Sequence, residues 1–288
     1  MGAHRARPSR MSGVFSSLVS THWLADRLGA SDLTVFDASL HLPNSGRDPR
    51  AEFVEAAIPG AQFLDLAALH KAAKQAIKAG NPLPIFAGAE RDARIVLYDD
   101  SALRSSARMW HLLRAMGFVN VAILDGGLSK WREEQRELGA GDVSNGMSLD
   151  DGNKNSPAFL SKGDMLRELD APTAQILDAR AADRVFGTGT DPVHGGANGR
   201  IPGSLNLPFD HVFNADGTYK SPDALRLALE TAGLDLARPI ITSCGSGITA
   251  SVLLFALHLV GVDNALLYDG SWAEWSADPN TPKAQGPA

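Results

Sequence analysis

The chain has 288 residues, which is enough for about two domains of roughly 150 residues each. It carries 27 Lys and Arg against 33 Asp and Glu, so its formal net charge is −6. This balance, without a long basic run, argues against nucleic acid or an anionic membrane as a partner. The one cysteine, Cys244, excludes an intramolecular disulfide, a paired-thiol redox site and a multi-cysteine metal cluster. Any sulfur chemistry in this chain therefore depends on Cys244.

The N-terminal segment and the longest apolar run predict where the protein is found. The segment has Arg5, Arg7 and Arg10 but no apolar core, so we expect no secretory signal. The apolar run 250–262 is shorter than the roughly 20 residues that a membrane span needs, and it predicts a core helix. We expect a soluble, cytoplasmic protein with a disordered leader at 1–13. A mitochondrial location is the alternative if the arginines belong to a transit peptide.

Three short motifs occur twice, in the same order. Residues 36–39 recur as 177–180, the Ile-Pro-Gly motif at 58–60 recurs at 201–203, and the Asp-Gly motif at 125–131 recurs at 269–275. The last two offsets are 201 − 58 = 143 and 269 − 125 = 144. Three matched landmarks predict two domains of the same fold in tandem.

Short apolar strands alternate with helices in each copy. In the first copy we predict strands at 33–36, 94–98 and 121–124 and a helix at 105–116. In the second copy we predict strands at 175–178, 205–207, 239–243 and 265–268, and helices at 222–232 and 249–260. Ser221 followed by Pro222 is typical of a helix N-terminus. The alternation predicts an α/β fold in which each domain is a parallel sheet flanked by helices.

Composition also predicts the domain limits. The segment 139–157 is rich in Gly, Asn, Asp and Ser, and we interpret it as a linker. It separates a first domain at 14–138 from a second domain at 158–280. Residues 281–288 are expected to form a disordered tail.

The cysteine stands where a predicted strand ends and a helix begins. The loop consists of Cys244, Gly245, Ser246, Gly247, Ile248 and Thr249. Open α/β sheets bind their ligands at the carboxyl ends of the strands. The two glycines let successive amides point inwards, and the helix N-terminus adds partial positive charge. Such a cradle would stabilise a thiolate or persulfide on Cys244. The alternative is a small buried apolar side chain, the usual fate of a lone cysteine.

At this loop the chain resembles the tandem-domain rhodanese family of sulfurtransferases. The resemblance extends from about residue 14 to residue 275 and rests on the cysteine loop, on Ile-Pro-Gly-Ser at 201–204 and on the closing motif at 268–272. The loop is similar to the branch that uses 3-mercaptopyruvate. Members that use thiosulfate usually have basic residues after the cysteine, where this chain has Gly245 and Ser246.

The resemblance implies an enzyme that needs no cofactor and no metal. Cys244 would take sulfur from a small-molecule donor, 3-mercaptopyruvate, release pyruvate and hold the sulfur as a persulfide. The amides of the loop would stabilise the anionic sulfur, and Ser246 and Thr249 are candidate hydroxyl donors. The acceptor would be cyanide, a small thiol or a thioredoxin-like protein. Thiosulfate as the preferred donor is the alternative.

The basic residue that binds the substrate anion must lie outside 239–275, because this segment contains no Lys or Arg. The resemblance places Arg184 at the first substrate-binding arginine of the family. Where the family usually has a second arginine, the chain has Val193. Arg200, directly before the Ile-Pro-Gly motif, is the weaker second candidate. The departure at Val193 leaves the choice of donor open.

The first domain is expected to be catalytically silent. Adding 144 to Asp100 gives 244, so Asp100 is predicted to be the counterpart of the cysteine, and a carboxylate cannot carry a sulfane sulfur. Asp99 and Asp100 are expected at a strand end facing solvent. After 63–66 the chain departs from the family, whose acid and histidine have no match here. We therefore interpret His70 as a surface helix residue.

Two rival classes predict different behaviour of Cys244. A cysteine phosphatase needs a longer loop or an arginine six positions after the cysteine, where this chain has Ala250. A non-catalytic sulfur carrier would form a persulfide that does not turn over.

Overall fold

The computed structural model describes residues 15–86, 89–143, 149–150, 159–187, 189–193, 196 and 198–286. The predicted leader at 1–13 lies outside these residues, as do 144–148 and 151–157 of the predicted linker. The strands are β1 (Leu18–Val19), β2 (Leu33–Asp37), β3 (Gln62–Phe63), β4 (Ile85–Phe86), β5 (Arg94–Tyr98), β6 (Val121–Leu124), β7 (Leu149–Asp150), β8 (Phe159–Leu160), β9 (Gln175–Asp178), β10 (Leu205–Asn206), β11 (Ile240–Ser243) and β12 (Leu266–Tyr268).

Helices connect and cover these strands. They are α1 (Thr21–Ala25), α2 (Pro49–Glu55), α3 (Leu66–Ala79), α4 (Ser106–Ala115), α5 (Gly127–Glu133), α6 (Lys162–Asp170), α7 (Ala182–Phe186), α8 (Pro222–Thr231), α9 (Ala250–Leu259) and α10 (Ser271–Ala277), with a 3-10 helix at Phe209–Val212. The Ser221 hydroxyl accepts the N–H of Ala224, which confirms the predicted N-cap of α8. The predicted strands at 94–98, 121–124 and 175–178 are also confirmed.

Two five-stranded parallel sheets have the same strand order. The first has the order β1-β6-β5-β2-β3, and the second, read from its other edge, has the order β8-β12-β11-β9-β10. Every described pair within these two sheets is parallel. A small antiparallel pair joins β4 to β7. The predicted tandem α/β architecture is therefore confirmed.

The central strands, β5 and β11, carry the two loops that matter most for the site. Their apolar residues are buried because helices cover both faces of a parallel sheet. Each strand leads through a loop into a helix that is buried along most of its length: α4 after β5, and α9 after β11. The loops therefore emerge at equivalent carboxyl edges of the two sheets.

The two domains meet where α4 packs on α9. The Trp110 and Phe255 rings are in edge-to-face contact with centroids 4.8 Å apart. One cluster of buried apolar residues continues from the first domain into the second. The prediction that the run 250–262 forms a core helix is confirmed for α9. Within the described part of the chain, no helix is both long enough and apolar enough to cross a membrane.

The prediction of a disordered tail is wrong for residues 281–286. Ala284 and Arg200 exchange backbone hydrogen bonds of 2.9 and 3.0 Å, and the Thr281 hydroxyl donates to the Trp275 carbonyl at 2.6 Å. The polar, proline-containing sequence of this segment did not indicate the pairing of Ala284, because Arg200 lies far from it in the sequence. Residues 287–288 lie outside the described residues.

The predicted linker likewise begins as part of the first domain. Gly139 and Ala57 exchange backbone hydrogen bonds of 2.8 and 2.9 Å, and Asp142 pairs with Gln62. These long-range bridges attach the start of the segment to the first sheet.

Candidate active site

Cys244 directly follows β11 and is 1% exposed. Its Sγ accepts the backbone N–H of Gly247 at 3.1 Å, so the sulfur is in a polar contact despite its burial. Gly247 has a φ of +90°, and a Cβ there would lie 3.1 Å from the carbonyl oxygen of Asp269. Glycine is needed at this position because only glycine combines that backbone conformation with that close approach.

The loop is fastened to the N-terminus of α10. The carbonyls of Cys244 and Gly245 accept the N–H groups of Trp272 and Ala273, both at 2.9 Å. The Ser271 Oγ accepts the Cys244 N–H at 3.2 Å and lies 4.0 Å from Sγ. These bonds hold the loop carbonyls away from the sulfur. Ser271 belongs to the repeated Asp-Gly motif, but nothing in the motif marked it as a neighbour of the cysteine.

The other loop positions lie around this contact. Gly245 and Ile248 are buried, whereas Ser246 and Thr249 are half-buried. The Ser251 hydroxyl donates to the Gly247 carbonyl at 3.0 Å, which anchors the loop to the first turn of α9. The structure therefore brings the predicted loop together as one unit at the start of α9.

Basic residues of the first domain reach this loop. The Lys74 ammonium group, on α3, donates to the carbonyls of Ser246 at 3.1 Å and Asp269 at 2.9 Å. The Arg108 guanidinium, on α4, donates to the Asp269 carboxylate at 2.6 Å, and its side chain is fully buried. Positive charge near the loop thus comes from outside 239–275, whereas the origin of the cation that binds the substrate stays a prediction. The origin of Lys74 and Arg108 in the other domain was not predicted.

His70 lies on the same face of α3 as Lys74, one turn earlier. Its Nδ1 is buried and has no hydrogen-bond partner among the residues that the structure describes. Burial, with smaller contributions from Arg108 and Lys74, lowers the pKa of His70 to about 2. The interpretation of His70 as a surface residue is therefore wrong. The sequence of α3 did not indicate that this face of the helix would contact the second domain.

The structure gives different surroundings to the two predicted substrate arginines. The Arg184 guanidinium, 16% exposed, donates to both carboxylate oxygens of the buried Asp191 at 2.9 and 2.8 Å. The Arg200 guanidinium donates to the Gly286 carbonyl at 2.7 Å and stacks over the Phe186 ring. The described contacts of Arg200 thus fasten the C-terminal segment.

Arg180 is a further buried cation that was not predicted as part of the site. Its guanidinium donates to the Asp178 carboxylate at 2.6 Å and lies over the Trp272 ring, 4.8 Å from the centroid. One of its nitrogens lies 3.6 Å from Asp191. Arg180, Asp191 and Arg184 thus form a chain of charges on the segment that follows β9.

The counterpart of Cys244 is Asp99, not Asp100. Tyr98 pairs with Asp37 as Ser243 pairs with Asp178, so the residues that follow these strands are equivalent. The Asp99 carbonyl accepts an N–H from α5 as the Cys244 carbonyl does from α10. The loop between β5 and α4 is one residue longer than the loop between β11 and α9. An offset of 144 therefore relates α4 to α9 but does not relate the residues that directly follow β5 and β11. Asp99 is 5% exposed, which also contradicts its expected position facing solvent.

Comparisons with known proteins agree with this geometry. A family profile for the rhodanese-like domain matches residues 20–134 and 161–278. The 3-mercaptopyruvate sulfurtransferase of Mus musculus is 36% identical over 280 residues, which cover 91% of this chain and 92% of the relative. The thiosulfate/3-mercaptopyruvate sulfurtransferase 2 of Arabidopsis thaliana is 34% identical over 296 residues, with coverages of 92% and 85%. The crystal structure of SseA from Escherichia coli is 33% identical with a TM-score of 0.74, and the match covers 89% of this chain and 99% of that chain.

The fold and the loop together define a class of enzyme in which one cysteine carries the transferred group. The chain belongs to the rhodanese family, as its loop motif predicted. It is a sulfurtransferase of the tandem-domain type, with Cys244 in the loop of the second domain.

Proposed function

We propose that this chain is a 3-mercaptopyruvate sulfurtransferase that carries sulfur as a persulfide on Cys244. The observation that carries the proposal is the Gly247 N–H, which is directed at Sγ from 3.1 Å within a glycine-rich loop at a helix N-terminus. An amide in this place stabilises negative charge on the attacking sulfur and on the persulfide. The relatives named for this donor match this chain over 92% and 99% of their own lengths.

The proposed reaction has two half-reactions that balance without an external oxidant. The Cys244 thiolate attacks the thiol sulfur of 3-mercaptopyruvate, so that an S–S bond forms and the C–S bond breaks. The electron pair of the C–S bond leaves on the enolate of pyruvate, which takes up a proton from water. The carbon is reduced and the sulfur is oxidised to the sulfane level. An acceptor thiolate or cyanide then attacks the outer sulfur, and the Cys244 thiolate leaves.

Arg184 is the proposed partner of the substrate carboxylate. It donates to Asp191 from Nε and Nη2, and no hydrogen bond donated by Nη1 is found among the described residues. One edge of a guanidinium that the buried Asp191 holds in place suits a planar carboxylate. We assign Arg200 to the C-terminal segment because its guanidinium contacts Gly286 and Phe186.

Thiosulfate is the second candidate donor, and one observation favours it. Lys74 and Arg108 bring two positive charges close to a loop that has no basic residue of its own, and the described ion pair of Asp269 is with Arg108. This balance favours a dianion more than the loop sequence alone indicated. We rank thiosulfate second because Lys74 and Arg108 already donate to two carbonyls and to Asp269, and not into an open anion site.

The test compares both donors on the purified full chain. After 3-mercaptopyruvate is added without acceptor, intact mass should rise by one sulfur atom in the parent and stay constant in Cys244→Ser. With a thiol acceptor, we expect kcat/KM for 3-mercaptopyruvate to exceed that for thiosulfate by about tenfold or more. The reverse ratio would establish thiosulfate as the donor. A persulfide that forms without turnover would identify a sulfur carrier instead of an enzyme.

The acceptor class and the location stay proposals. We propose a thiol acceptor, either a small thiol or a thioredoxin-like protein, and a cytoplasmic location. Replacing the small thiol with a reduced thioredoxin in the same turnover assay tests the protein acceptor directly.

A further inference from the structure

One peptide of the catalytic loop is held from both sides. Its carbonyl, on Ser246, accepts a hydrogen bond from the Lys74 ammonium at 3.1 Å. Its N–H, on Gly247, donates to the Cys244 Sγ at 3.1 Å. The C=O and N–H of a trans peptide point in opposite directions. The ammonium and the sulfur therefore lie at the two ends of a single peptide dipole.

Burial lowers the pKa of Lys74 overall, and nearby negative charges limit that shift. These are the charges of Asp269, Cys244 and Glu274. Arg108 is the positive group that acts in the same direction as burial. The two carbonyl contacts of the ammonium group hold it beside the loop.

We propose that Lys74 is a positioning residue for sulfur transfer: its ammonium group orients and polarises the Ser246–Gly247 peptide so that the Gly247 N–H stabilises anionic sulfur on Cys244. The inference rests on the proposed function, because it takes that sulfur to be the nucleophile and the persulfide carrier. It gives the first domain an active part in the reaction, since α3 of that domain supplies the charge. The second contact of Lys74, with the Asp269 carbonyl at 2.9 Å, fixes the ammonium between the loop and the strand end before α10.

The surroundings of Lys74 allow it to be replaced without overpacking. Its side chain lines a cavity of about 740 Å³ between α3, α6 and α10, together with Lys78, Lys162 and Glu274. A shorter or neutral side chain at position 74 can therefore be accommodated by this space. Lys71, which is exposed one turn earlier on α3, offers a matched control on the same helix.

The first test measures the nucleophile without any sulfur donor. Lys74→Met, Lys74→Gln, Lys74→Arg and Lys71→Met are compared with the parent in the rate of Cys244 alkylation by iodoacetamide between pH 5 and 9. We expect Lys74→Met to react about tenfold more slowly near pH 7, with an alkylation midpoint about one pH unit higher. Its limiting rate at high pH should match that of the parent. Lys74→Arg should keep most of the parent reactivity because it keeps the charge, and Lys71→Met should match the parent.

A midpoint in Lys74→Met equal to that of the parent would overturn the proposal. Circular dichroism establishes that each variant is folded. If Lys74→Met is not folded, Lys74→Gln decides, because its neutral amide still donates a hydrogen bond but lacks the charge. A shift in Lys74→Gln then supports the proposal, and its absence contradicts it.

A second test separates positioning from direct donor binding. With 3-mercaptopyruvate, Lys74→Met should lower kcat about tenfold with little change in KM, because the lost stabilisation acts on the sulfur of the enzyme. A rise in KM with an unchanged kcat would mean that Lys74 binds the donor, and would overturn the positioning role. If the parent gains no sulfur from either donor, the proposed function fails, whereas the alkylation profile still decides the role of Lys74.

Discussion

The catalytic loop and its counterpart in the first domain have the same construction with opposite outcomes. In both, a backbone N–H donates to the side chain that follows the central strand. The Asp99 carboxylate accepts the N–H groups of Ser101 and Ser106, both at 2.9 Å, as the Cys244 Sγ accepts that of Gly247. The N–H donors of the first loop are thus occupied by the Asp99 carboxylate. The second loop instead presents a sulfur that can accept and release the transferred sulfur atom. The strand-loop-helix geometry makes an anion site, and the first loop residue decides its chemistry.

The two loops also differ in what they receive from the other domain. The Asp125 and Asp269 carboxylates occupy equivalent places in the repeated Asp-Gly motif. Asp125 accepts the backbone N–H of Tyr219 at 2.8 Å, while Asp269 accepts the Arg108 guanidinium at 2.6 Å. The partner is neutral at the first-domain loop and charged at the Cys244 loop. Positive charge from the opposite domain is therefore concentrated where sulfur is transferred.

The residue after Asp99 pairs with two arginines of its own domain. The Asp100 carboxylate accepts hydrogen bonds from Arg47 at 2.9 Å, from Arg132 at 2.7 Å and from the Ser129 hydroxyl at 2.9 Å. The arginines lower the pKa of Asp100 against the opposing effect of its partial burial. Arg47 and Arg132, which lie beside this loop, are thus paired with a carboxylate of the same domain.

The largest expected effect comes from removing the Arg108 guanidinium, which is the partner of Asp269 and has no equivalent among the described contacts of Asp125 in the first Asp-Gly motif. Arg108→Met leaves the Asp269 carboxylate buried without its guanidinium partner, and we expect a loss of about 3–5 kcal/mol in the free energy of unfolding. Denaturant unfolding measures this loss. The double variant Arg108→Met/Asp269→Asn should recover part of it, because no buried charge remains. A loss below about 1 kcal/mol in the single variant would show that the pair does not stabilise the interface.

The next effect concerns the amide that the catalytic loop directs at sulfur. In Gly247→Ala, the methyl group meets the Asp269 carbonyl and the positive φ becomes strained, so the N–H turns away from Sγ. We expect kcat/KM to fall about 100-fold, as when one oxyanion-hole donor is lost. Gly261→Ala is the matched control: it has a similar φ of +84° with no atom within 4 Å of the new Cβ. It should lose about 1 kcal/mol of stability and keep full activity. Equal activity losses in both variants would contradict the role of the Gly247 amide.

The smallest effect is a change in the pH dependence of stability. Burial raises the pKa of Asp125 to about 6, above its usual value near 4. The folded state therefore holds a proton that the unfolded state releases first, so this contribution is complete below about pH 4 and is lost as pH rises through about 6. Asp125→Asn should consequently lose less unfolding free energy than the parent between those pH values. Urea unfolding at a series of pH values measures this slope.

Asp216→Asn provides a control, because the pKa of Asp216 is shifted in the opposite direction from that of Asp125 and stability should change with pH in the opposite sense. The hydrogen bond from Lys130 lowers the pKa of Asp216, so its contribution is present above the usual carboxyl value and is lost as pH falls. The change in slope caused by this variant should therefore be confined to pH values below about 4, whereas its loss of stability should be constant above that value. If Asp125→Asn keeps the slope of the parent, Asp125 does not hold its proton in the folded state.

Much of the fold follows from local pattern. The strands at 94–98 and 121–124 and the helix after Cys244 were predicted nearly to the residue, because short apolar runs between turns and a buried helix leave clear signals. The repeat predicted the second sheet from the first. The boundary of the C-terminal segment was not predictable, because the pairing of Ala284 with Arg200 joins residues far apart in sequence.

The sequence by itself determined the family, the tandem architecture and the reactive atom. The tandem architecture followed from the three repeated motifs. The reactive atom followed from one cysteine in a glycine-rich loop after a buried strand, since backbone amides and a helix end are local features. Only the tertiary structure decided which cations serve the loop. Lys74 and Arg108 stand on helices of the other domain, and their distance from Cys244 depends on how α3 and α4 pack against the second sheet. The same holds for Asp99, whose equivalence to the cysteine emerges from strand register and not from a constant offset.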